Sequence, residues 1–296
     1  MRTSRIAIIG AGKVGTVLSV CLTEQGYLVT EVMSRSTDSA ARLSTLVGAR
    51  TVADARELTA DIILVTVSDR AIGSAAESLA LRSLSGRVVL HTSGATGCEV
   101  LSPAKDAGLH TGSMHPLFSF ARTDLTINDL RGTYYAIDGD ENARSAAKML
   151  AHALGGHPFH LPADKRALYH AGAAAASNYL VTLLLTAARQ LSCCGLTDAD
   201  ALRALLPLVR GTLDNLSAVG RSALTGPIAR GDAITVEKHL HTLGENCPDL
   251  LPFYRLLGSM TADIAEANGQ LPAEAKTTIH QLLRRDNHST NALPKR

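Results

Sequence analysis

The residues with chemical potential in this 296-residue chain fall in a few short segments. Gly10-Ala11-Gly12-Lys13-Val14-Gly15 is a G-x-G-x-x-G pattern directly after the apolar run Ile6–Ile9. Between a strand and a helix, its first glycine permits a tight turn. The second lets the backbone approach a pyrophosphate, and the third lets the helix pack on the strand. The helix N-terminus then offers free N–H groups to the anion. A second β-rich run ends in Val32-Met33-Ser34-Arg35-Ser36. An acid at that end would hold ribose hydroxyls and repel a 2′-phosphate. Arg35 between Ser34 and Ser36 favours the phosphate, hence NADP over NAD, and Glu31 is expected inside the strand.

Further apolar runs lead into Val67-Ser68-Asp69 and into His91, Ser93 and Gly94. Ligands of open α/β sheets bind at such strand ends, so these residues are expected against the ribose or nicotinamide. His115 precedes Pro116, which keeps its backbone extended, and is expected to face nicotinamide or substrate. Lys165, His170 and Asn178 share one long helical stretch. A histidine's ordinary pKa near ~6.5 makes His170 the first choice for proton donor. Asn178 would orient a carbonyl, with Lys165 as a further candidate. Arg230, in a Gly-Pro-Ile-Ala-Arg-Gly-Asp segment, could grip a substrate carboxylate through two N–H groups, and Asp232 reads as a helix N-cap. The eleven histidines are dispersed, and the sequence has no H-E-x-x-H, C-x-x-C or G-x-S-x-G motif, so no metal site and no nucleophile elbow is expected.

These residues require a particular frame. Strands are expected at 6–9, 27–33, 62–67, 87–91, 109–114 and 134–137, with helices at 13–25 and 39–46. Apolar strands alternating with helices give a parallel sheet covered on both faces, an α/β doubly wound Rossmann domain. After Pro162 the strand signal stops. Helices are expected at 163–191, 198–219 with Thr197 as N-cap, 232–243, 248–267 and 272–285, followed by a polar, frayed tail from 286. The expected domains are therefore 1–162, binding the dinucleotide, and 163–296, all-α, for substrate binding and dimerisation, with the active cleft between them. The alanine-rich segment 171–176 permits close helix approach and points to a homodimer.

Composition narrows the function classes. The chain is 46% hydrophobic, which excludes a mostly disordered protein. A net charge of +2 with only 3% aromatic residues argues against a nucleic-acid partner. The uncharged stretch 171–188 reads as a buried helix of a soluble protein and not as a membrane span. An odd number of cysteines, five, reads as reduced thiols in the cytoplasm.

Three later motifs sharpen this picture: Ser113-Met114-His115-Pro116-Leu117-Phe118-Ser119-Phe120, Tyr169-His170-Ala171 through Ser177-Asn178-Tyr179-Leu180, and Leu224-Thr225-Gly226-Pro227-Ile228-Ala229-Arg230-Gly231-Asp232. With the glycine motif, they resemble a family of NADP-binding Rossmann-like oxidoreductases whose helical C-terminal half is a domain of unknown function. That family is similar in architecture to 6-phosphogluconate and 3-hydroxyisobutyrate dehydrogenases, ketopantoate reductase and pyrroline-5-carboxylate reductase. The resemblance covers nearly the whole chain and implies the fold, the NADP cofactor and a ketopantoate-like 2-oxo acid as substrate. It departs at one point. The hydroxyacid dehydrogenases carry a lysine with asparagine four residues later, whereas Lys165 is followed there by Tyr169. The expectation is an NADPH-dependent reductase of a small anionic 2-oxo acid. The alternatives are an imine reductase of the pyrroline-5-carboxylate reductase type and a non-catalytic NADP sensor.

Overall fold

The computed structural model describes residues 4–81 and 84–284. The chain begins with β1 (Arg5–Ile9), α1 (Lys13–Glu24), β2 (Leu28–Met33), α2 (Thr37–Val47) and β3 (Arg50–Val52). It continues through β4 (Ile62–Val65), α3 (Asp69–Ala80), β5 (Val88–His91), α4 (Ser102–Asp106) and β6 (His110–Pro116). Next come α5 (Ile127–Leu130), β7 (Tyr134–Gly139), α6 (Glu141–Ala153) and β8 (His157–His160). Helices α7 (Arg166–Ser192), α8 (Asp198–Val219), α9 (Ala233–Asn246), α10 (Leu251–Ala267) and α11 (Ala273–Arg284) complete it. The expected helix end at Arg285 and the tail from 286 lie outside the described residues.

The strands form one sheet in the order β3-β2-β1-β4-β5-β6-β7-β8. All neighbours are parallel except β6 and β7. A parallel return needs a long crossover, and the link between these two strands contains only the short α5. Side chains alternate between two cores, as a sheet covered on both faces demands. Ile6, Ile8 and Leu64 pack on one face with α1, α2 and α6. Ala7, Ile9, Ile63 and Val65 pack on the other with α3. This bears out the doubly wound reading. Helix α8 has the expected bounds, and its N-cap Thr197 accepts a hydrogen bond from the Asp200 amide. The edge strands β3 and β8 and the helices α3 and α6 extend the expected set.

The chain divides into two compact units, Met1–Ser177 and Asn178–Arg296. The division falls inside α7, later than the expected boundary at residue 162. The cause is the helix start: Arg166 is buried and hydrogen-bonds to Ser93 and Ser113, holding the first turns of α7 to the first unit. The second unit has its own core, in which Ile228, Val236, Leu240, Ala262 and Ile279 are buried together.

One expectation is corrected. The uncharged stretch 171–188 is not a buried helix within the single chain. Tyr179 is 67% exposed, and Val181 and Leu185 are also exposed. Helix α8 likewise exposes Leu208, Leu213, Leu216 and Val219. By length and composition alone, Ala163–Ser192 is apolar enough to cross a membrane. All five cysteines are free, and the Cys193 and Cys247 thiols meet at 2.9 Å.

Candidate active site

Two groups of side chains occupy the carboxyl ends of the strands in the first unit. The first surrounds the glycine turn. Gly10 has φ 111°, and a Cβ there would meet the Thr66 carbonyl carbon at 2.8 Å. The Gly10 amide donates to the Met33 carbonyl at 2.8 Å, and the Thr66 hydroxyl donates to the Gly10 carbonyl at 2.6 Å. A side chain on Gly15 would strike the Gly10 carbonyl, whereas one on Gly12 would project into open space. Thus two glycines fit the helix to the strand, and the third leaves room for a ligand. No side chain caps the N-terminus of α1 and no acid stands in its first turn. That terminus therefore suits an anion.

From this turn a cavity of about 700 Å³ runs past Ala11, Gly12, Ser34, Arg35, Ser36, Ser39, Val67 and Ser68. Ser36 caps α2 by accepting from the Ser39 amide at 3.2 Å, which directs a second helix N-terminus and Arg35 to the same end. Glu31 does not compete there. It is 1% exposed and accepts from the Thr59 amide, the Thr59 hydroxyl, the Ala60 amide and Arg50. Burial raises its pKa, but these hydrogen bonds outweigh that effect and hold it below the ordinary carboxylate value. A dinucleotide with a 2′-phosphate fits: Gly10–Gly15 for the pyrophosphate, and Ser34, Arg35 and Ser36 for the phosphate on the ribose. Ser68 caps α3 without using its hydroxyl, which stays available beside Val67, and Asp69 begins α3.

The second group lies at the ends of β5 and β6. His91 is fully buried. Its Nδ1 accepts from the Ser93 amide at 3.2 Å, so the proton sits on Nε2, which donates to the Gly97 carbonyl at 3.2 Å. Burial first, then the Arg166 charge, pushes its pKa down to about 4. The Ser93 hydroxyl accepts from the Ala95 and Thr96 amides. His91 and Ser93 thus shape the turn, and their side-chain polar atoms bond within it.

His115 differs. Its Nδ1 shares a 2.7 Å hydrogen bond with the Tyr169 hydroxyl. Its ring meets Tyr169 edge-on with centroids 5.5 Å apart, and His170 at 6.3 Å. Nε2 lies against Gly94, where a Cβ would approach it to 2.7 Å. Burial first, then His170 and Arg166, lowers its pKa to about 4, so it is neutral at neutral pH. Arg166 anchors the group. It donates to the Ser93 carbonyl at 3.2 Å and the Ser113 hydroxyl at 2.7 Å, and faces Asp138 at 3.8 Å.

The expected site residues therefore divide. His115, His170 and Gly94 are brought together. Lys165 stays apart, exposed and paired with Asp164 at 2.9 Å. Asn178 and Arg230 are exposed residues of the second unit, and Asp232 caps α9 by accepting from the Thr235 amide. Sequence reasoning missed Tyr169 and Arg166 as members of the site. Tyr169 is adjacent to His170 on α7, but its partner His115 is fifty-four residues away in sequence. No metal-holding cluster of His, Cys, Asp and Glu occurs among the described residues.

Residues 1–116 match the model of a Rossmann-like domain, and residues 133–261 match a Domain of unknown function (DUF2520). The chain joins these two domains in this order. That bears out the resemblance carried by the sequence motifs. Protein TM1727 from Thermotoga maritima is 26% identical, with 89% of this chain and 99% of that chain covered and a TM-score of 0.72. A reductive aminase from Aspergillus terreus, solved with NADPH and ethyl levulinate, is 17% identical over 94% and 99% of the two chains, TM-score 0.63. A pyrroline-5-carboxylate reductase from Coxiella burnetii is 18% identical over 95% and 98%, TM-score 0.59. The last two share the fold with this chain. No curated protein matches it by sequence.

Proposed function

We propose that this protein is an NADPH-dependent reductase converting a small anionic 2-oxo acid, ketopantoate-like, to its hydroxy acid. The observation that carries the reading is the glycine cradle continuous with a cavity ending at Ser34, Arg35 and Ser36. Bound NADPH would supply the hydride. The residues of the chain bind and orient: Gly10–Gly15 the pyrophosphate, Arg35 and its serines the 2′-phosphate, and Val67, Ser68 and Asp69 the cofactor beyond it. From β2 to β5 the sheet crosses three strand spacings, ~14 Å. An extended dinucleotide anchored on β2 thus reaches toward Gly94 and His115. The group formed by His115, Tyr169 and His170 supplies the proton. Asn178 and Arg230 are proposed contacts of substrate carbonyl and carboxylate. The fold likeness to a reductive aminase solved with NADPH and to a pyrroline-5-carboxylate reductase supports NADPH-linked reduction as the reaction class.

The test mixes purified protein with NADPH and either ketopantoate or a cyclic imine, and follows loss of NADPH absorbance. Consumption with ketopantoate above the imine is expected. Consumption with the imine alone overturns the substrate class. Binding without consumption in either case overturns the enzyme reading in favour of a sensor.

We further propose a cytoplasmic homodimer that covers the exposed apolar faces of α7 and α8. Burying Tyr179, Val181, Leu185 and Leu208 against a second copy would contribute roughly 1.5–3 kcal/mol per side chain before the cost of association. Light scattering should give twice the 31.1 kDa chain mass. A monomer at working concentration removes the idea, and sedimentation with lipid vesicles replaces it with a membrane surface.

A further inference from the structure

The proton source within this group can be read more finely. His170 is the residue that sequence favours, but it is exposed on α7. Tyr169, one residue earlier, is half-buried and fixed from two sides. Its ring lies between His115, with centroids 5.5 Å apart, and Phe159, at 5.9 Å. Its hydroxyl is tied to His115 Nδ1 at 2.7 Å. His115 itself is fixed because Gly94 leaves space for its ring and Arg166 locks the start of α7 to the strand ends. A donor held this way needs no reorganisation when charge develops on a substrate oxygen.

We propose that Tyr169 is the residue that protonates the reduced substrate, with His115 as the positioning residue that holds the hydroxyl through Nδ1–H. This rests on the reductase reading. As the carbonyl oxygen gains its electron pair, the Tyr169 O–H bond breaks and a new O–H bond forms on the substrate. The phenolate left behind accepts from His115 Nδ1–H and lies in the field of Arg166, and a solvent proton restores the phenol. The electrostatics agree. Burial raises the Tyr169 pKa to about 12, partly offset by Arg166, so the phenol keeps its proton at cellular pH yet is a stronger acid than an alcohol. The charged and titratable groups facing His115 are His170 and Arg166 from α7, Asp69 from α3 and His91 from β5. The net effect on His115, led by burial, favours the neutral ring.

The first test needs no turnover. In full-length protein labelled with ¹⁵N-histidine, nuclear magnetic resonance at pH 7 should show His115 neutral with the proton on Nδ1, and Tyr169→Phe should remove that preference. A wild-type His115 protonated on Nε2 overturns the proposal, because the tyrosine proton is then consumed by Nδ1. The second test uses NADPH with ketopantoate. Tyr169→Phe should lower kcat by 10²–10⁴-fold while NADPH affinity, read by nicotinamide fluorescence, changes less than about twofold. His115→Asn, which keeps an N–H donor near Nδ1, should retain more activity than His115→Phe. His170→Ala should cost at least about tenfold less in kcat than Tyr169→Phe does. The wild-type rate should stay level across the ordinary histidine range, whereas an imidazolium donor would lose rate there as pH rises. Full activity in Tyr169→Phe, or an equal loss in His170→Ala, overturns the donor assignment and leaves the reductase reading intact. Wild-type protein that binds NADPH and reduces no substrate overturns both.

Discussion

His91 and His115 stand at the carboxyl ends of adjacent strands, and burial leads the lowering of both to about 4. Their partners separate them. Both nitrogens of His91 are satisfied by the backbone of its own turn, the Ser93 amide and the Gly97 carbonyl. His115 instead reaches an ionisable side chain on another element, Tyr169 of α7. A depressed pKa therefore does not identify a functional histidine. One imidazole closes a loop, and the other links a strand end to a helix through groups that can exchange a proton.

Substitutions at these two histidines should therefore have opposite effects. The largest effect belongs to the open histidine: His115→Phe should cost at least about 100-fold in kcat, with unfolding free energy changed by under ~1 kcal/mol. His91→Ala should do the reverse. It removes two hydrogen bonds and leaves a buried void, costing roughly 2–4 kcal/mol by urea unfolding, with kcat per folded molecule changed less than about threefold. If both variants lose activity equally, the distinction between them fails.

A smaller effect is expected at the far end of the cavity. Arg35→Ala should weaken NADPH binding about tenfold, ~1.4 kcal/mol, and leave NADH binding unchanged, as read by fluorescence titration. Acid should reveal the two histidines together. Their folded pKa values lie near 4, below the ordinary ~6.5, so between those limits the unfolded chain binds more protons. Their contribution to stability is complete above about pH 6.5 and is lost as pH falls toward 4. Urea midpoints across that window should decline less steeply in His91→Gln than in wild type. Lys165→Ala marks the lower bound: an exposed pair with Asp164 predicts a change within ~0.5 kcal/mol and unchanged turnover.

Much of the frame was legible in the sequence because burial on both sheet faces writes continuous apolar runs such as Ile6–Ile9 and Ile62–Val65. The glycine turn was legible because each glycine answers a separate steric demand. Glu31 was correctly expected inside its strand, although its four partners were not foreseeable. Strand β8 was obscured by His157, Pro158 and His160, which suit an edge. Arg166 reads in sequence as one more surface charge beside Lys165. Its burial follows only once β5, β6 and β7 bring Ser93, Ser113 and Asp138 together. The exposure of α7 was missed because an apolar, alanine-rich helix reads equally well as a core helix and as an interface between copies.

The β1–α1 turn and the end of β2 are proposed to hold NADP together. Titration of the wild-type protein and Arg35→Ala with NADPH and NADH, followed by nicotinamide fluorescence, tests it most directly. NADPH should bind wild type at least about tenfold more tightly than NADH, and Arg35→Ala should erase that preference. Equal affinity of the wild type for both, or binding of neither, would contradict the account.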